Sequence, residues 1–276
     1  MSTNKDQITI IGCGNMGGAI AKGIAAREEG ATIRVFLYDR DQNKAAELSS
    51  ETGYPNIDMP RIAQDSGLLV LAVKPGDFGD LAASISPNLN GQAVLSVMAG
   101  VSIKDIVSRL GKDLAVVRAM PNVGAFVQDS VTCLACNDKA RNDGFLDKAR
   151  HVFSGLGNVF EVNEGDMDLV TAVSGSGPAY LFYLAGSMID SAVKNGMDAS
   201  MANELVSGTL RGASEMLKRS GRSPGELIEM VASRGGTTEA ALSVFEDRGF
   251  NKMVDEAIRK AKERSLEISR EGEICS

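Results

Sequence analysis

Two rhythms of apolar residues divide the chain near Asn163. Before that point, short apolar runs alternate with amphipathic stretches; after it, only helical spacing is found. Residues 8–11, 33–38, 68–73, 93–97, 116–120 and 131–136 are apolar runs of strand length bounded by turn residues, and 158–162 reads as a last edge strand. Helical spacing covers residues 16–27, 41–52 and 142–155. Continuous apolar strands between helices predict a mostly parallel sheet, because each crossover helix covers one face and leaves the strands buried on both. The first part, residues 1–163, is therefore expected to be an α/β domain with a doubly wound parallel sheet.

From residue 164 to 276 the pattern predicts a second, all-α domain, with helices over 164–174, 178–195, 200–220, 224–233, 237–248 and 250–270. Pro178 and Pro224 fall at first-turn positions, where the missing N–H has no helical partner to lose. The first half of the 178–195 helix, including Tyr180, Leu181, Phe182, Tyr183 and Leu184, is apolar nearly all round. Such a helix needs cover on every side. A small helical domain lacks the interior to supply it alone, so a homodimer interleaved through this domain is predicted.

Composition narrows the function. With 43% hydrophobic and 24% charged residues, the 276-residue chain can bury a full core without disulfides or structural metal. A formal charge of −7 argues against nucleic-acid and membrane-surface binding. The Lys and Arg residues of 259–270 are interleaved with Glu263 and Glu267 and read as a solvated helix face. The four cysteines form no disulfide framework. Cys133-x-x-Cys136 lies on an expected strand with no second pair to complete a metal site, so no metal is expected. The opening residues carry no leader pattern and the longest apolar run, 68–73, is too short for a bilayer. A cytoplasmic protein is the expectation.

Chemistry concentrates at strand ends. Gly12-Cys13-Gly14-Asn15-Met16-Gly17 is a G-x-G-x-x-G between the first strand and first helix. There the first glycine allows a tight turn, the second lets backbone approach a pyrophosphate, and the third lets helix pack on strand. The helix N-terminus adds a favourable field for the phosphates. A Rossmann-type nicotinamide dinucleotide site follows. Asp39 ends the second strand, where an acid hydrogen-bonds the ribose hydroxyls of NADH; Arg40 beside it suits the 2′-phosphate of NADPH. The choice between NADH and NADPH stays open. Ala72-Val73-Lys74-Pro75 and Met120-Pro121-Asn122 end two further strands, at the sheet edge where open α/β folds bind ligands. In the second domain, Ser174-Gly175-Ser176-Gly177-Pro178 enters the apolar helix, and Ser233-Arg234-Gly235-Gly236-Thr237-Thr238 is a glycine-rich turn opening another. The single histidine, His151, sits on an ordinary helix and has no evident role.

On these motifs the chain resembles the pyrroline-5-carboxylate reductases, which complete proline synthesis. The stretch from Pro224 to Glu246, with its Ser-x-Gly-Gly-x-Thr turn, is the most specific. The resemblance implies an all-helical dimerisation domain, dimers that often assemble into rings, and a substrate held between the nicotinamide and this turn of the partner subunit. The imine's carboxylate needs an anion site, for which the N–H groups of Gly235, Gly236 and Thr237 are candidates, with Ser176 and Ser233 as further contacts. Thr238 is the candidate partner of the ring nitrogen, and thus the candidate catalytic residue. Gly12, Gly14, Asn15, Met16, Gly17, Asp39, Arg40, Ala72, Val73, Lys74, Pro75 and Asn122 are the candidate cofactor contacts. Arg234 and Asn122-Val123-Gly124 depart from the family's commoner Pro and Asn-Thr-Pro, which bears on turn rigidity. A β-hydroxyacid dehydrogenase has similar architecture but needs a lysine base early in the second domain, and residues 163–193 contain no Lys. A reductase of a related cyclic imino acid and a non-catalytic NAD(P)H-binding module remain as alternatives.

Overall fold

A computed structural model describes residues 7–27, 33–62, 66–111 and 113–274. Cys275 and most of the polar opening lie outside the described residues. Among the described residues, β1 (Gln7–Ile11), β2 (Arg34–Tyr38), β3 (Leu68–Leu71), β4 (Ala93–Ser96), β5 (Val116–Met120), β6 (Ser130–Cys136) and β7 (Gly157–Glu161) form one sheet. Its order is β2-β1-β3-β4-β5-β6-β7. Neighbours pair in parallel except β5 and β6, which are antiparallel. All the expected strands are present, and the sheet is the doubly wound one the apolar runs predict.

The helices of this part are α1 (Asn15–Ala25), α2 (Gln42–Thr52), α3 (Met59–Ile62), α4 (Phe78–Ile85), α5 (Ile103–Leu110), α6 (Asp138–Asn142), α7 (Phe145–Ser154) and α8 (Met167–Val170). They build a core on each face of the sheet. In β3, Leu68 and Val70 join a cluster with Ile20 and Ile24 of α1 and Phe153 of α7. The alternate residues Leu69 and Leu71 join Phe78, Leu81 and Ile85 of α4 and Ile106 of α5. Period-two alternation thus feeds two separate apolar layers, which is why β3 is apolar at every position.

Three local departures have simple causes. Helices α4 and α5 went unpredicted because each spans only eight residues. The 142–155 segment is two helices, since Gly144 at φ +77° adopts a left-handed turn between α6 and α7. Residues 164–174 are not one helix: a 3-10 turn and α8 lead into a π turn, Thr171–Gly175, where the Ser176 N–H bonds the Thr171 carbonyl at 2.8 Å.

The remaining helices are α9 (Gly177–Lys194), α10 (Ala199–Arg219), α11 (Pro224–Val231), α12 (Thr237–Asp247) and α13 (Phe250–Ile274). By contacts the chain divides into one compact unit of Met1–Ser176 with Ala261–Ser276 and another of Gly177–Lys260. The contact-based units part after Ser176, somewhat past the domain boundary expected near Asn163. Met167 explains the difference: it is buried with Cys133 and Ala135 of β6, so the segment entering α9 packs with the sheet. The end of α13 does likewise, where the Ser265 hydroxyl bonds the Asp168 carboxylate at 2.6 Å. In the helical unit, α9 has no buried residue; Leu181, Phe182 and Tyr183 are 56%, 67% and 82% exposed. One copy of the chain leaves uncovered the helix whose sequence asks for cover on every side.

Candidate active site

Gly12 follows β1 at φ +103°, a conformation that L side chains rarely adopt. A Cβ there would stand 2.6 Å from the Ala72 carbonyl oxygen, so glycine lets the loops after β1 and β3 approach. A Cβ on Gly17 would overlap the Gly12 carbonyl, which makes glycine the residue that seats α1 on the turn. Gly14 differs: nothing lies within 4 Å of the Cβ it lacks. The space in front of Gly14, at the N-terminus of α1, is a cradle open to a pyrophosphate, and helix dipole and free first-turn N–H groups favour an anion there. Asn15 and Met16 form that first turn.

Asp39 is tied to this turn. Its carboxylate accepts the Cys13 N–H at 2.7 Å and the Asp41 N–H at 2.9 Å, so its position is fixed beside the glycine loop. Arg40 points elsewhere, pairing with Asp77 at 2.9 Å. The Cys13 thiol is pushed up to about 12, chiefly by burial and then by the Asp39 charge, and is an unreactive packing group. A cleft of about 360 Å³ opens between these loops, bordered by Gly12, Gly14, Asp39, Arg40, Val73 and Lys74. Ala72 also borders it, and Pro75 begins the turn at Pro75–Asp77. Lys74 has no ion-pair partner among the described residues, leaving a free cation at the cleft. Of the sequence-predicted cofactor residues, Gly12, Gly14, Asp39, Arg40, Ala72, Val73 and Lys74 border this cleft, while Asn15, Met16, Gly17, Pro75 and Asn122 are outside its lining. The donor set suits a dinucleotide: backbone N–H groups for phosphate, a fixed carboxylate for ribose.

Asn122 caps the turn Val123–Val127. Its Oδ1 accepts N–H groups of Gly124 and Val131 and the Ser130 hydroxyl, and its Nδ2 donates to the Ser174 Oγ at 3.4 Å. Its backbone is engaged too, the N–H donating to the Ser130 Oγ at 3.3 Å and the carbonyl accepting the Ala125 N–H at 3.1 Å, so Asn122 is a structural post of this turn. The π turn accounts for the Ser174 bond: it carries Ser174 to Asn122 and sets Gly175 where any Cβ would meet the Met120 Cε at 2.6 Å. Ser176 follows on the same turn. Sequence reading found both motifs but could not join them, since their contact depends on a five-residue turn within an expected α-helix.

In the helical unit, Gly235 at φ +72° turns the chain into α12, with Gly236 as its N-cap. The expectation of three N–H donors here needs correction. The Gly235 N–H is donated to the Glu239 carboxylate at 2.5 Å, and the Gly236 N–H to the Ser233 carbonyl at 2.9 Å. Of the three, Thr237 alone keeps an N–H with no partner among the described residues, joined by that of Thr238 in the same first turn. The Thr237 and Thr238 hydroxyls make no hydrogen bond among the described residues. Ser233 Oγ packs on Gly236, where a Cβ would stand 2.5 Å from it. Glu239 is the residue that sequence reading missed, although an acid three residues after an N-cap is a capping signal. His151 is exposed on α7, where its carbonyl accepts from Arg27 and from the Ser154 hydroxyl, each at 2.9 Å.

Comparison with known proteins covers both parts. A family model described as pyrroline-5-carboxylate reductase dimerisation matches residues 164–268, and one described as NADP oxidoreductase, coenzyme F420-dependent, matches 7–100. The pyrroline-5-carboxylate reductase of Synechocystis is 35% identical over 96% of this chain and 98% of its own length. That of Escherichia coli is 34% identical over the same shares. Among solved structures, a pyrroline-5-carboxylate reductase from Coxiella burnetii superposes with a TM-score of 0.88 at 30% identity, covering 97% of this chain and 99% of that one. The Plasmodium falciparum pyrroline carboxylate reductase, solved with NADP bound, gives 0.83 at 28% identity, covering 95% and 98%.

Proposed function

The chain belongs to the pyrroline-5-carboxylate reductase family, and on that premise we propose that it reduces 1-pyrroline-5-carboxylate to L-proline, the last step of proline biosynthesis, with NADPH or NADH. The observation that carries the reading is the end-to-end likeness to reductases of this one activity. When bound, the dinucleotide supplies the hydride that reduces the C=N carbon.

The chain's own residues supply position and charge. Gly12, Gly14, Asn15, Met16 and Gly17 would hold the pyrophosphate, Asp39 would face the adenosine ribose with Arg40 next to it in sequence, and Ala72–Pro75 and Asn122 would line the path to the nicotinamide. Free N–H groups at Thr237 and Thr238 receive the substrate carboxylate, with Ser176 and Ser233 as further contacts. The Thr238 hydroxyl holds the ring nitrogen. A cyclic imine arrives already protonated from water, so no strong protein acid is required, in keeping with the absence of a role for His151.

Residues 164–276 serve as the dimerisation and substrate-binding domain, and residues 1–163 as the dinucleotide domain. The uncovered apolar surface of α9 supports a homodimer, and the family likeness extends the proposal to a larger ring of such dimers. The enzyme works in the cytoplasm, in keeping with the three free cysteines among the described residues. Oxidation of NADPH or NADH, followed optically with pyrroline-5-carboxylate, tests the reading. Turnover with at least one cofactor is expected; no turnover with either overturns it.

A further inference from the structure

The dinucleotide cleft contains a charge arrangement that bears on cofactor choice. Its lining includes three acids, Asp39, Asp77 and Asp80, and three bases, Arg40, Lys44 and Lys74. Among the described residues, charges of both signs therefore face the same cleft. Selectivity then rests on which groups are fixed and which are free. Asp39 is fixed, with both carboxylate oxygens accepting backbone N–H groups of Cys13 and Asp41. A carboxylate held beside the adenosine ribose accepts from its hydroxyls and repels a 2′-phosphate. Among the described residues, Arg40 is the one guanidinium in the lining, and so the group suited to grip a phosphate through two parallel N–H bonds. It is held at 2.9 Å by Asp77, on the turn that follows Lys74.

We propose that Asp77 is a specificity-determining residue, drawing Arg40 away from the 2′-phosphate position so that, with Asp39 in place, NADH is the preferred cofactor. The sheet order explains how two residues distant in sequence meet. Strands β2 and β3 flank β1 on either side, and the segments leaving their ends converge over the glycine turn. Lys44, near the start of α2, attracts any phosphate and does not depend on Asp77.

This inference rests on the dinucleotide reading and is tested by binding alone. Adenosine 2′,5′-bisphosphate and adenosine 5′-monophosphate are titrated calorimetrically into the full-length wild-type protein, D77N, and D77N combined with R40A, with circular dichroism as a check on folding. An exposed ion pair is a modest restraint, and at about 1.4 kcal/mol per tenfold its release corresponds to roughly a fivefold effect. The wild type should bind the monophosphate at least as tightly as the bisphosphate. D77N should raise the bisphosphate-to-monophosphate affinity ratio about fivefold, and the added R40A should remove that gain. An unchanged or lower ratio in D77N, or a gain that survives R40A, overturns the role of Asp77 while leaving the reductase reading intact. Failure of the wild type to bind either nucleotide overturns the dinucleotide reading, and this inference with it. If D77N misfolds, D77A is read in its place by the same criteria.

Discussion

The glycine turn makes opposite predictions for two of its residues. Gly12→Ala forces a side chain into φ +103° and sets its Cβ 2.6 Å from the Ala72 carbonyl oxygen. Backbone strain of this kind costs about 1–3 kcal/mol, and overpacking adds about 1–3 kcal/mol more. In a domain of this size each kcal/mol lowers Tm by about 2–4 °C, so a fall on the order of 10 °C is expected. Gly14→Ala meets nothing within 4 Å, and its φ of −74° suits any residue. Its stability cost is that of a poorer N-cap, up to about 1 kcal/mol. Its methyl group, however, occupies the cradle for the pyrophosphate, and cofactor affinity should fall about tenfold or more. Thermal melts of the free protein, with titration of NADPH and NADH by fluorescence, measure both effects. The reasoning fails if G14A melts as low as G12A, or if G14A binds both cofactors like the wild type.

Other expectations concern separate features. Thr238→Ala should lower turnover at least tenfold while leaving cofactor affinity within about twofold, the loss being a hydrogen bond at the reacting nitrogen; equal losses in both would relocate Thr238. Phe182→Asp, on the uncovered face of α9, should shift the protein towards monomer in sedimentation velocity, and an unchanged sedimentation coefficient would remove α9 from the interface. Phe153→Ala, at a fully buried position between α7 and the sheet, should destabilise by about 3–5 kcal/mol in urea unfolding. Burial raises the thiols of Cys13, Cys133 and Cys136, so below pH 9 the native protein holds them as neutral thiols. Site-resolved iodoacetamide labelling should be slow at all three and rise sharply in urea; rapid labelling of Cys13 in the native protein would contradict its burial.

Much of this was legible because it depends on short-range pattern. The strands announce themselves as continuous apolar runs, since both faces of the sheet are covered, and Gly12, Gly14 and Gly17 report a turn whose geometry is local. Helices α4 and α5 were legible in principle: Phe78, Leu81, Ala82 and Ile85 follow helical spacing, and Ser102 with Asp105 forms a capping box. Their brevity hid them. What the sequence does not show is pairing at a distance. The Arg40–Asp77 ion pair and the Asn122–Ser174 contact exist only once the sheet order and the π turn are known. The engagement of Gly235 by Glu239 was local yet overlooked, because glycine at an N-cap position draws attention to the backbone and away from the acid that follows.

The proposed function turns on hydride delivery to the imine carbon of pyrroline-5-carboxylate. Reduction with nicotinamide cofactor deuterated at the transferable position, followed by mass spectrometry and NMR of the product, tests it most directly. Proline carrying a single deuterium on the former C=N carbon is predicted. Unlabelled proline, label at any other carbon, or cofactor oxidation without proline would contradict it.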